Sequence, residues 1–214
     1  MSVLLRAAAA SYVFVALVGF AGAACAADDD AVTPQAQQIF RELDAMGVET
    51  KWIAGQHIDW ESGLPTGVPE TSAGKHTHCS AFVASAAKQL GVYILRPPEH
   101  GQKLLANAQT EWLAEEGPTH GWHKLADTKA AQAAANRGML VVASYRNHHD
   151  DRPGHIAIVR PGSKTPEQIA TEGPNVIQAG AVNAASISIK AAFAGHPAAW
   201  RDNEIEYYAH EVKL

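Results

Sequence analysis

The chain changes its hydrophobic period once. Up to residue 136 the apolar residues recur at spacings of three and four, and from residue 139 onward they alternate or form short apolar runs. A helical period followed by a strand period confines the fold. The helices must bury their stripes against something, and the later strands supply the sheet, which predicts an α+β fold with helices packed on a mostly antiparallel sheet.

The spacing of Ala36, Ile39, Phe40 and Leu43 predicts a helix over 33–46, with Pro34 in its first turn and Gly47 at its end. Residues 51–75 are rich in Gly, Pro, Ser and Thr and read as a long loop that could wall a cleft. Cys79, Phe82, Val83, Ala86 and Leu90 share one face of a helix over 79–90, stopped by Gly91. A third helix, over 99–115, follows Pro97-Pro98 and carries the stripe Leu104, Leu105, Ala108, Trp112 and Leu113. A fourth, over 128–136, takes Thr128 as its cap and Gly138 as its stop. Strands are predicted over 139–145, 155–160, 176–180, 186–190 and 204–212, with a polar turn at 147–153 and short links of the hairpin kind.

The first 27 residues read as an export signal. Arg6 precedes an apolar stretch over 7–20, small residues fill 21–27, and Asp28-Asp29-Asp30 follows. The stretch falls short of the about 20 residues of a spanning helix, although a retained anchor stays open as an alternative. A lipid anchor on Cys25 is disfavoured, because Gly22-Ala23-Ala24 lacks a bulky aliphatic residue. No later segment is apolar enough to span a membrane. The expected product is a periplasmic or secreted monomer with one domain over 28–214, large enough for a well-buried core. Its net charge of -5 gives no basic footprint for nucleic acid.

Removal of the leader leaves Cys79 as the one cysteine. A compartment that oxidises thiols makes an unpaired cysteine costly to keep. Its place at a helix start favours thiolate, through unpaired N–H groups and the helix dipole. The alternative is a buried structural thiol. A nucleophilic cysteine needs a base, and the base needs a group that orients it. Among eleven histidines, His155 stands out because it opens an apolar strand after Pro153-Gly154, where its ring can face the helix carrying Cys79. It could equally be a histidine that merely starts a strand. Gln178 shares a strand face with Val176, and a glutamine inside an apolar strand requires a partner if buried. Its amide oxygen could orient the imidazole, unless the residue lies on the solvent face of an edge strand.

These residues carry a resemblance. His78-Cys79-Ser80-Ala81-Phe82-Val83 with Lys88-Gln89-Leu90-Gly91-Val92 resembles the nucleophile helix of NlpC/P60 peptidases and CHAP amidases, which reads Asp-Cys-Ser-Gly-Phe/Leu-Val. Gly138 to Ala143, Gly154 to Val159 and Val176 to Ala179 resemble, in order, the three strands that follow, over roughly 51–180. The resemblance implies a papain-like fold and a Cys79–His155–Gln178 triad acting on an amide of a peptidoglycan stem peptide or another peptide. It implies hydrolysis through a thioester, with the Cys79 N–H at the oxyanion and no cofactor. Ser80 belongs to the same motif. The family's acid before the cysteine, which helps bind a free amino terminus, is His78 here. Trp52 is the candidate for the family's upstream tyrosine, and its indole N–H can donate but not accept. A non-catalytic binding module for wall peptides and an acyltransferase using the same triad are the alternatives. His76, His78, His148 and His149 invite a metal, yet no carboxylate or cysteine spacing completes a set, so no metal site is expected.

Overall fold

The computed structural model describes residues 31–71 and 76–214. The expected export signal, Cys25 and residues 72–75 of the expected loop lie outside them. Helix α1 (Pro34–Ala45) begins where the Thr33 hydroxyl accepts from the Ala36 N–H, and it buries Ala36, Ile39, Phe40 and Leu43 as the spacing predicts. Arg160 Nη2 ties its far end to the sheet by donating to Asp44 Oδ2 at 3.0 Å.

Helix α2 (Cys79–Gln89) is buried at every position from Cys79 to Ala87. A helix enclosed on all sides is a core element. Its small residues, Ala81, Ala84, Ser85, Ala86 and Ala87, let its neighbours approach. Phe82 is 0% exposed and by itself contributes about 1.5–3 kcal/mol of burial. Helix α3 (Leu105–Glu115) is shorter than the predicted 99–115. Leu104 takes a left-handed conformation, φ 55°, which ends any helix arriving from before it. Gln109 on α3 is 0% exposed, and its Nε2 donates to the carbonyls of Ser80 and Leu95, locking α3 to the start of α2.

Strand β1 (His123–Leu125) and helix α4 (Thr128–Asn136) follow. The cap of α4 is Asp127, whose Oδ1 accepts from the Ala130 N–H at 2.8 Å, and not Thr128. Then come β2 (Leu140–Tyr145), β3 (His155–Val159), helix α5 (Pro166–Glu172) and β4 (Asn175–Ala179). The strand expected at 186–190 lies earlier, as β5 (Asn183–Ser188). The Ser188 hydroxyl accepts from the Ala191 N–H and turns the chain into α6 (Ile189–Ala192). Helix α7 (Pro197–Arg201) and β6 (Glu206–His210) complete the elements.

The six strands run in the order β1-β6-β2-β3-β4-β5, and every pairing is antiparallel. Strand alternation gives the sheet two buried faces. Leu140, Val142, Ile156, Ile158, Ile177 and Ala179 face α1 and α2 in one core. Val141, Ala143, Tyr145, Ala157, Val159 and Val176 join residues of α4, α6 and α7 in a second. The chain is therefore α+β with an antiparallel sheet, and helices cover both faces rather than one. No helix among the described residues is long and apolar enough to cross a membrane.

Candidate active site

The 147–153 turn is held from α3. Asn107 Oδ1 accepts from the Asn147 N–H, and its Nδ2 donates to the Arg152 carbonyl. Gly154 then passes so close to the preceding strand that an added Cβ would lie 2.0 Å from the Tyr145 carbonyl oxygen. This contact admits only glycine, and it sets His155 opposite Tyr145 in the register. On β4, Gln178 precedes Gly180 and pairs with Ala184 across a register shift in β5.

His155 and Gln178 meet. His155 Nε2 lies 2.7 Å from Gln178 Oε1, and the two residues are 6% and 3% exposed. The orientation of the amide is fixed from its other end, because Gln178 Nε2 donates to the Val182 carbonyl at 3.0 Å. The ring nitrogen facing an amide oxygen must carry the proton, which leaves Nδ1 of the neutral ring as a base. Burial drives the pKa of His155 down to about 4, against an opposing pull from the Gln178 bond. At neutral pH the ring is uncharged.

Cys79 opens α2 and is 4% exposed. Its sulfur is approached by the N–H groups of Ile156, Ser80 and Cys79 itself and by the Thr77 side chain, all of which favour thiolate. Burial outweighs them and raises the thiol pKa above its ordinary value. The thiolate-favouring effect of the helix start is thus present but loses to desolvation.

Thiol and ring reach β3 at consecutive residues. The sulfur sits by the Ile156 N–H in the α2 core. The His155 ring lies edge-on to Phe193, which caps the end of α6, centroids 4.7 Å apart, in line with its alternation with Ile156. The expectation that the ring faces α2 is corrected by that alternation. Among the described contacts, no hydrogen bond joins the Cys79 sulfur to the ring.

Ser80 is 7% exposed, and its carbonyl is taken by Gln109. His78 is 8% exposed and leans on the 53–56 loop, where the Gln56 and Ile53 carbonyls favour its charged form and burial disfavours it more. Its Nε2 has no hydrogen-bond partner among the described residues. Trp52 packs edge-on against Phe82, centroids 5.1 Å apart, under Gly63, and its Nε1 is likewise buried without a hydrogen-bond partner among the described residues. Neither side chain has a described contact with the sulfur. His148 pairs with Glu204 at 2.9 Å. Among the described residues no group of three or more His, Cys, Asp or Glu could hold a metal ion.

Three neighbours escaped the sequence reasoning. Asn183 Nδ2 donates to the carbonyls of Val48, Lys51 and Trp52, clamping the loop after α1 beside Gln178. Phe193 and His196 flank the His155 ring, the latter with its ring nearly parallel at 6.3 Å. A polar residue just after the Gly180 turn was the one available signal for Asn183. Phe193 and His196 lie in a short Ala- and Gly-rich stretch without a period. A cavity of about 310 Å³ on the α4–α5 side is lined by Gln132, Lys164 and Asn175 and not by Cys79. No protein-family model matches the chain, and no curated protein matches it.

Proposed function

We propose that the protein is an exported cysteine hydrolase of the papain-like NlpC/P60 and CHAP kind, cleaving an amide bond of a peptidoglycan stem peptide. One observation carries the reading. The buried 2.7 Å bond between Gln178 Oε1 and His155 Nε2 leaves Nδ1 as a base, with the thiol one residue further along β3. A glutamine holding an imidazole in one tautomer does the work of the orienting group in a nucleophile–base–orienter set.

The resting pair is a neutral thiol and a neutral imidazole, since burial raises one pKa and lowers the other. Catalysis on this reading requires the Cys79 sulfur and the His155 ring, which lie toward opposite faces of β3 here, to come together when substrate binds; the Cys79 proton then passes to His155 Nδ1 as the sulfur bonds to the amide carbon. The carbonyl oxygen takes the negative charge, which the Cys79 N–H stabilises at the helix start. The tetrahedral species collapses, the C–N bond breaks, and Nδ1 hands its proton to the leaving amine. Water adds to the thioester while giving a proton to Nδ1, the C–S bond breaks, and the sulfur regains that proton.

A second reading, a non-catalytic module that grips wall peptides, draws support from the burial of both side chains and the missing sulfur–ring hydrogen bond. Digestion of purified sacculi with wild type and with Cys79→Ala, followed by mass spectrometry of the released fragments, separates the two. Hydrolysis predicts fragments from the wild type alone. Equal release by both proteins would remove Cys79 as nucleophile, and binding without release would support the module.

A further inference from the structure

The two ends of a glutamine amide have nearly the same shape, so contact with His155 alone does not decide which end of Gln178 faces the ring. Turned over, Gln178 would present Nε2 to the ring and donate to it. The ring proton would then sit on Nδ1, and that nitrogen would no longer be a base. The Val182 carbonyl decides between the two arrangements. It accepts from Gln178 Nε2 at 3.0 Å and would face the amide oxygen if the side chain turned over. While this carbonyl stays in place, Oε1 faces the ring at 2.7 Å and His155 Nε2 keeps the proton.

Val182 does not hold its own carbonyl. It lies in the link 180–182 between β4 and β5, and it is 66% exposed. Its carbonyl belongs to the planar peptide group that joins it to Asn183, so the two move together. Asn183 is anchored twice. It stands opposite Ala179 in the register of β4 and β5. Its Nδ2 also donates to the carbonyls of Val48 and Lys51, both at 2.8 Å, and of Trp52 at 3.2 Å. Those carbonyls lie on a fixed loop. The Lys51 N–H donates to the Gly47 carbonyl, the Trp52 N–H donates to the Gly63 carbonyl, and the indole packs on Phe82 of α2. Among the described residues no other side-chain hydrogen bond ties 180–183 to the loop after α1.

We infer that Asn183 is the positioning residue of the His155 base: by fixing the peptide group that carries the Val182 carbonyl, it keeps Gln178 Oε1 on the ring and the ring in its Nε2–H tautomer. Asn183 has no described contact with the ring or the thiol and acts through Val182 and Gln178. Its use in turnover rests on the cysteine hydrolase reading, whereas the tautomer it sets is a property of the resting protein. The loop it clamps continues into the Ile53 and Gln56 carbonyls that meet His78, the residue before Cys79. One side chain therefore joins the turn beside the base to the loop beside the start of α2.

The test follows the ring nitrogen shifts of His155 by NMR, which separate the two tautomers, in the full-length protein at neutral pH. The wild type should carry the proton on Nε2. Asn183→Ala should lower the ratio of the Nε2–H to the Nδ1–H tautomer about fivefold, the value of one ordinary hydrogen bond. Asn183→Ser, which keeps one donor on a short side chain, should recover part of the ratio, and it carries the test if Asn183→Ala does not fold. Gln35→Ala controls for lost stability alone. Gln35 Nε2 likewise clamps the chain through two carbonyls, those of Gly138 and Val212, and touches none of these residues. It should lower the urea midpoint and leave the tautomer alone. A wild-type ring with its proton on Nδ1, a ring unmoved in the folded Asn183 variants, or an equal shift in Gln35→Ala would overturn the inference. Failed sacculus digestion with the Asn183 response intact would remove the hydrolase and leave the positioning role. Digestion by the wild type with an unresponsive ring would remove the positioning role alone.

Discussion

Substituting His155→Gln should make the protein more resistant to acid. In the folded protein burial holds the His155 pKa at about 4, against 6.5 for an ordinary histidine. The folded value is the lower one, so the unfolded chain takes up a proton first as pH falls. Stability is therefore full above about pH 6.5 and drains away as the pH drops toward 4. At pH 4.5 the two values correspond to a loss of about 2.5 kcal/mol from this one ring. Glutamine can still donate to Gln178 Oε1 but does not titrate, so the variant should lack this share of the loss. His78 and His196, whose pKa values burial also lowers, add to the acid sensitivity of both proteins. Urea unfolding at pH 7.5 and 4.5 gives the four stabilities required. Their double difference should be about 2.5 kcal/mol in favour of His155→Gln. A wild type and variant that lose stability in parallel would show that His155 titrates as an ordinary histidine, and the argument for a buried neutral base would fall.

The Cys79 thiol, raised by burial, should react with iodoacetamide more slowly than a free cysteine at pH 6, as read by mass spectrometry of the intact protein; rapid labelling there would instead mean a thiolate pair with His155. Gln178→Leu strands the Nε2–H of His155 in the interior and should cost about 1–3 kcal/mol in urea unfolding, with a further fall in the His155 pKa because the bond that raises it is gone; an unchanged ring titration by NMR would refute the assigned bond. Gly63→Ala would push a methyl carbon to 2.3 Å from Trp52 Cδ2 at a backbone φ of +69°. It should lower stability by at least about 2 kcal/mol, and an unaltered melting temperature would contradict the packing of the indole.

Much of this was legible in the chain because local and tertiary preferences agree. Thr33-Pro34 and Gly47 bound α1 as written, and the apolar run His155-Ile156-Ala157-Ile158-Val159 is a strand because both faces of the sheet are covered. Leu104 was misread because a left-handed leucine is a tertiary decision that no propensity encodes. The covered second face was missed because the short helices α6 and α7 are too brief to show a period. At the site, Gln178 was found as an anomaly, a polar side chain inside an apolar strand, and its bond to His155 resolves it. The balance at Cys79 was not readable. Sequence shows the helix start that lowers a thiol pKa but not the depth of burial that raises it.

The last strand of the chain, β6, is inserted between β1 and β2, and the Gln35 side chain of α1 donates to the Val212 carbonyl, 177 residues away. Pairings this distant in sequence make folding slow, because loops must close before the contacts that reward closure exist. As the chain is synthesised, α2 has no sheet to lie against until residues near 140–179 arrive, and β1 has no neighbour until β6 does. A growing chain cannot hold the thiol, the imidazole and the amide together. Whatever chemistry these groups perform is deferred until almost the whole polypeptide is present, so the strand order itself acts as a timer on the site.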